Sequence, residues 1–331
     1  MPNRFAFTAV HINKGRSTVW FPGTPLLLGV VAVSFSSIFI KLCQAPAVAI
    51  GMYRLLLTVI LLSPFTLASP KQRQALKSLN LRDRIALLAS GLLLGFHFLF
   101  WIASLKQTSV ASSMIITTLQ PGFVGLAAYF LFGERLSKRQ TASLISAAVG
   151  TAVIAFGDHA FGASTFHTHS GMTHPGLLAA LFEGPTSALR GDALSLIGTI
   201  AMSGYMLVGG RVRARLDSTS YNWAVFLTAG LMLLIWAVAT HTPLSGYRHQ
   251  DWLWLALLAL VPTLFGHALF NWLLRYVNAT TISVTILGEP IGAILLSAWL
   301  LHASIEFYQI VGGLITLGGI WLYLRRPSVV R

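Results

Sequence analysis

Two residue pairs in this sequence have the types and the setting to do chemistry inside an apolar medium: Glu289-Pro290 and Gln120-Pro121. Each interrupts an apolar run of about 20 residues, long enough to cross a bilayer. A carboxylate at that depth costs about 2.5–3.5 kcal/mol on insertion scales, so it faces a protein interior or a water-filled cavity. Glu289 either exchanges a proton or pairs with a substrate cation there, or it caps backbone groups released by Pro290. Gln120 offers a fixed amide instead of an ionisable group. Proline removes a backbone donor and loosens the helix, so Pro121 and Pro290 are expected to shape a cavity and its gating.

Other polar side chains interrupt the apolar runs. His97 and His267 lie in the third and eighth of them. Each relays protons or binds an anionic group, or it bonds a neighbouring carbonyl as a packing residue. Asn271 follows His267 by four residues and is expected on the same helix face, which Trp272 or Trp101 would make polar and aromatic. Arg54, in the second run, needs a partner if it is buried: a substrate carboxylate, or carbonyls near one interface. Lys41 is expected to snorkel. The substrate-cavity candidates are therefore Glu289, Gln120, His97, His267, Asn271, Arg54 and Trp101, with Pro121 and Pro290 as helix breaks.

Cys43 is the single cysteine of the chain. It excludes an intrachain disulfide and a cysteine-based metal site. His159, His167, His169 and His174 fall in a Gly-, Ser- and Thr-rich stretch without a dense carboxylate set, which reads as a connector. Neither a metal nor a cofactor is expected.

The elements that must position these groups are membrane helices. Hydrophobic residues make up 55% of the 331 and charged residues only 10%, far below the share in soluble domains. Ten apolar runs are expected to span: 26–42, 48–67, 85–105, 111–132, 140–156, 192–209, 221–240, 252–274, 280–301 and 307–324. The net charge of +14 does not point to nucleic acid, because the basic residues cluster between the runs, where they set topology. With the N-terminus inside, eighteen Lys and Arg fall in inside segments and three (Lys106, Arg190, Arg248) outside. Both termini are expected in the cytoplasm.

A shift of 169 residues lays the third-to-fifth runs on the eighth-to-tenth. Leu105 then meets Leu274, Lys106 meets Arg275, Pro121 meets Pro290, Gln140 meets Gln309 and Gly150 meets Gly319. Five runs per repeat make the halves enter from opposite sides, the inverted-topology construction of alternating-access carriers. The expected architecture is all-α and polytopic, with ten transmembrane helices as two inverted five-helix repeats, 25–158 and 191–326. A loop at 159–190 joins them, and basic tails at 1–24 and 327–331 flank them. Gly91 and Gly95 support close helix packing and leave the oligomeric state open.

The ordered set Ile38-Phe39-Ile40-Lys41-Leu42, Arg54, Gly133-Glu134-Arg135-Leu136-Ser137, Gly288-Glu289-Pro290, Gly312-Gly313 and Gly318-Gly319 resembles the ten-span EamA group of the drug/metabolite transporter superfamily. The resemblance covers about residues 26–326. It implies a bacterial cytoplasmic-membrane carrier of small metabolites, often an exporter of amino acids or related compounds. It also implies a basket of helices around a central cavity, with the fifth and tenth spans peripheral. No nucleotide-binding GxxxxGK[ST] loop, HExxH site or Gly-x-Ser-x-Gly elbow occurs, which argues against ATP drive and against an enzyme. A small-molecule substrate and the lipid bilayer are the expected partners, with proton coupling left open. The other class open at this stage is a membrane receptor or scaffold without transport.

Overall fold

A computed structural model describes residues 23–108, 110–133, 136–160, 188–213, 215–301 and 305–324. The two tails, the pair Glu134-Arg135, most of the histidine-bearing connector (His167, His169 and His174 included) and His302-Ala303 lie outside the described residues. The helices are α1 (Gly23–Leu42), α2 (Ala47–Leu67), the short α3 (Pro70–Lys77), α4 (Leu81–Gln107), α5 (Val110–Thr117), α6 (Gln120–Phe132) and α7 (Lys138–Ala160). The second half holds α8 (Ala188–Arg213), α9 (Ser218–Ala239), α10 (His249–Leu258), a π-helical segment (Ala259–Ala268), α11 (Leu269–Leu273), α12 (Ala279–Ile286), α13 (Glu289–Leu301) and α14 (Phe307–Leu324).

Eight helical stretches among the described residues are long and apolar enough to cross a membrane. They match the first to third and sixth to tenth expected spans. The fourth expected span is two short helices, α5 and α6, and the fifth is α7. Local sequence marks the ends. Asn80 accepts from Asp83 N at 2.9 Å, Asp217 from Thr219 N at 3.0 Å and Asn278 from Thr281 N at 2.8 Å, each satisfying a donor the first helical turn leaves open. Gly133 ends α6 with φ of 70°, a backbone region that favours glycine.

The 169-residue shift recurs in the helix boundaries. Shifted, α5 falls on α12 and α6 on α13 at both ends, and α7 begins where α14 begins. The matched long helices run in opposite directions. The start of α4 meets the α8–α9 turn through an Asp83–Arg215 ion pair, and its end meets the α1–α2 turn through Lys106. The start of α10 meets the α1–α2 turn, where Asp251 accepts from Gln44 N at 2.8 Å, and Arg275 beyond α11 meets the α8–α9 turn. Asp83 and Asp251 occupy the same third position of their helices yet are 168 residues apart. One extra residue therefore lies in the second helix before the 169 spacing resumes, and the π-helical segment, with its wider turns, accommodates it.

α7 and α14 pair through small residues, as the peripheral position expected for them allows. Gly150 packs against Gly312 and Thr316, and Gly319 packs against Ser143 and Ala147. Exchanging each residue for its 169-shifted partner turns the first contact into the second. A Cβ on Gly319 would stand 2.5 Å from the Ala147 nitrogen and 2.8 Å from the Ser143 oxygen, and backbone atoms cannot step aside. Gly319→Ala is expected to destabilise the protein by about 1–3 kcal/mol, read as a lowered thermal unfolding midpoint of the purified protein in detergent.

Candidate functional site

The two broken helices pack against each other. Leu119 N donates to Ile116 O at 3.1 Å, and Gly288 N donates to Thr285 O at 3.0 Å, so equivalent tight turns close both breaks. The prolines do more than bend continuous helices: each is the second residue of a new half-helix, where its missing N–H leaves no intrahelical bond unmade. Glu289 lies in the first turn of α13, the end at which the helix dipole favours an anion. Gln120 opens α6 and crosses to the other half, donating to Ser283 Oγ and Met206 Sδ, both at 3.4 Å.

A cavity of about 50 Å³ lies at this crossing, room for a few waters. Six of the nine residues expected at the site line it: His97, Trp101, Gln120, His267, Glu289 and Pro290. Ser36, Met114, Thr117, Thr118, Met202 and Ser283 join them. Of these, Thr117 and Thr118 sit just before the Gln120 break, a signal the sequence offered. Ser36 and Met202 carry none, because nothing in their local sequence says which neighbour they meet. Glu289 contributes the one carboxylate of the lining, and no hydrogen bond to that carboxylate is made by the described residues.

The two histidines differ in their setting. His97 Nδ1 lies 3.0 Å from Gly198 O. A carbonyl can only accept, so Nδ1 carries the proton of the neutral ring and Nε2 is its acceptor. The ring stacks on Trp101, centroids 5.8 Å apart at 13°. The His267 and Phe98 rings stand nearly perpendicular, centroids 5.3 Å apart at 84°.

Three expected cavity residues stand elsewhere. Pro121 is buried beside its break, outside the cavity lining. Arg54 is fully buried one layer behind the wall and bonds hydroxyls, not interfacial carbonyls: Nε donates to Thr263 Oγ1 at 3.0 Å and Nη1 to Ser36 Oγ at 3.1 Å. Its guanidinium lies 4.2 Å over the Phe98 ring. Pro262 removes the α-helical donor to the Leu258 carbonyl, the π-helical turn passes that role to residue 263, and Thr263 Oγ1 also donates to Leu258 O at 2.7 Å. Lys41, expected to snorkel, instead donates to Leu105 O at 3.0 Å.

Asn271 is the third. It accepts from Tyr205 OH at 2.7 Å and donates to Asn222 Oδ1 at 2.6 Å, and Asn222 donates to Ala268 O at 3.3 Å. Four residues from His267 also means about 6 Å along the helix axis, and at that level the face is filled by Tyr205 and Asn222. Asn271→Leu leaves two buried polar groups unpaired. The expected loss is about 1–3 kcal/mol of stability, seen in thermal unfolding, with the substrate KM of the surviving protein unchanged.

Comparisons with known proteins bear on the family and the fold. The profile of the EamA-like transporter family matches residues 24–156 and again 189–325. The chain is 26% identical over 246 residues to "Uncharacterized transporter YxxF" of Bacillus subtilis (strain 168), covering 74% of this chain and 71% of that protein. It is 24% identical over 235 residues to "Uncharacterized transporter YetK" of the same organism, covering 68% of this chain and 64% of that protein. A solved crystal structure superposes with a TM-score of 0.68 at 16% identity, covering 91% of this chain and 96% of that one. At that identity the likeness concerns the fold alone.

Proposed function

The chain belongs to the EamA-like transporter family, and from that membership we propose that it is a secondary carrier exporting small metabolites, such as amino acids or related compounds, across a bacterial cytoplasmic membrane. That it is a multi-pass membrane protein of a transporter family is the premise. Substrate class, direction and mechanism are the proposal. In it, residues 25–158 and 191–326 form two inverted five-helix repeats of ten spans in all, joined by an extracytoplasmic loop at 159–190. The tails 1–24 and 327–331 lie in the cytoplasm. The chain is not an enzyme in this reading, and it needs no cofactor.

The observation that carries the proposal is the cavity between the half-helix starts at Gln120 and Glu289. Broken helices at midplane depth, in oppositely directed segments, are how carriers expose polar groups to a substrate. The half-helix start favours negative charge at Glu289, so a substrate ammonium or a proton can occupy the same place in turn. Gln120, Thr117, Thr118 and Ser283 supply neutral hydrogen bonds, and Trp101, Met114 and Met202 supply apolar surface. Alternating access then needs the cavity to open to one face at a time.

The substrate is found by comparing metabolites inside and outside bacterial cells with and without the gene. Accumulation of one or more small amine- or carboxyl-bearing compounds outside expressing cells supports export. Depletion from the medium would reverse the assigned direction, and an unchanged profile with the protein present in the membrane would count against the carrier reading.

A further inference from the structure

We propose that Arg54 is the fixed countercharge of Glu289, a positioning residue behind the cavity wall that sets where the Glu289 carboxyl exchanges its proton. The proposal rests on reading Glu289 as the working group of the cavity. It assigns to Arg54 an action through Glu289 and no contact with substrate.

Among the described residues the partners of Arg54 are two hydroxyls and an aromatic face, and Nη2 has no hydrogen-bond partner. None of these carries a charge. A buried guanidinium without a carboxylate bonded to it is costly, and an opposite charge nearby reduces that cost. Glu289 is the one carboxylate of the cavity behind which Arg54 lies, and no direct ion pair joins the two. The connecting wall is short: Ser36 Oγ accepts from Arg54, and Ser36 lines the same cavity as Glu289. Glu289 thus lines the cavity while the cation stays behind its wall.

Arg54 is held in that place. Its bond to Thr263 continues to the Leu258 carbonyl at the start of the π-helical segment, and Thr58 Oγ1 ties the same stretch of α2 to Ala259 O at 2.9 Å. The broken second-half helix therefore supplies the anchor. The ionisable or charged groups disposed toward Glu289 are Arg54 from α2, His97 from α4 and His267 from the π-helical segment. The cavity-facing residues of α1, α5, α6, α8 and α12 carry no ionisable group. Of the three, Arg54 alone keeps its charge over the ordinary pH range, so it alone is a fixed reference for Glu289.

The test is an infrared titration of the purified full-length protein. The band of the protonated Glu289 carboxyl is assigned by its loss in Glu289→Gln. Arg54→Gln is expected to move the titration midpoint by about one pH unit or more to higher pH, because a carboxyl that loses a nearby cation keeps its proton longer. Arg54→Lys is expected to keep the midpoint within about half a unit of the wild type, the charge being retained. A folded Arg54→Gln protein with the wild-type midpoint would overturn the proposal. If Arg54→Gln proves too unstable to purify, the double variant with Glu289→Gln should recover folded protein, since it leaves no lone charge; a double variant no more stable than Arg54→Gln overturns the proposal as well. The titration needs no substrate, so failure of the transport reading leaves this result standing, and the reverse.

Discussion

Glu289→Gln is expected to lower transport by about ten- to hundredfold, the effect of losing one charged hydrogen bond worth about 1.5–3 kcal/mol. It should also flatten the dependence of transport on pH. The side chains are nearly the same shape, and α13 starts at this residue in either case, so the helix break survives. Removing a charge from mid-membrane depth is favourable for insertion, so the amount of variant in the membrane should equal or exceed that of the wild type. Transport by the wild type should fall with acidity as Glu289 takes up its proton and comes to resemble the variant. Initial rates in vesicles across a pH series, normalised to protein in the membrane, measure both effects. A variant with wild-type rates and an unchanged pH profile would reduce Glu289 to a residue that fixes the helix break.

The second large effect concerns opening. On the face of the α1–α2 turn, Lys106 Nζ donates to Ala45 O at 2.5 Å and Lys41 Nζ to Leu105 O at 3.0 Å. On the opposite face, Arg275 donates to Leu216 O in the α8–α9 turn at 2.6 Å. Lys106 and Arg275 are partners under the 169 shift, so each face is closed by a cation on a carbonyl near a helix C-terminus, where positive charge is favoured. The two faces lie at opposite ends of α4, a helix of 27 residues and about 40 Å. Lys106→Met with Lys41→Met should favour opening at the α1–α2 face, and Arg275→Met at the other. With Cys43→Ala removing the single cysteine, Thr117→Cys in the cavity wall can be labelled by an impermeant maleimide from either side. Each variant should raise labelling from its own side by about tenfold, the weight of about 1.4 kcal/mol. Labelling raised from the same side by both, or by neither, would sink this account of the closures.

The breaks were legible because a polar residue followed by proline inside an apolar run is conspicuous, and because two such pairs recur 169 residues apart. The opposite directions of the matched long helices were legible from the odd number of apolar runs per repeat. The cavity wall was less so. Thr118 and Ser283 are ordinary residues of apolar helices, and only packing brings them to one point. Arg54 was visible as a charge needing a partner, but its hydroxyl partner Thr263 sits 209 positions away in sequence. Asn271 was assigned to the right helix and misplaced along it, since helical periodicity gives a face and not the depth at which a cavity ends. The π-helical segment was not legible, because the 168-residue spacing of Asp83 and Asp251 reads as a one-residue insertion only when both are seen at the third position of their helices.

The most direct test is flux through the purified protein. Proteoliposomes loaded with a broad mixture of amino acids, amines and related metabolites, made with wild-type or Glu289→Gln protein, are followed by mass spectrometry of the external medium. The account predicts saturable release of at least one compound through the wild type and strong loss of that release in the variant. Release no faster than from empty liposomes for every compound, with folded wild-type protein in the membrane, would contradict it.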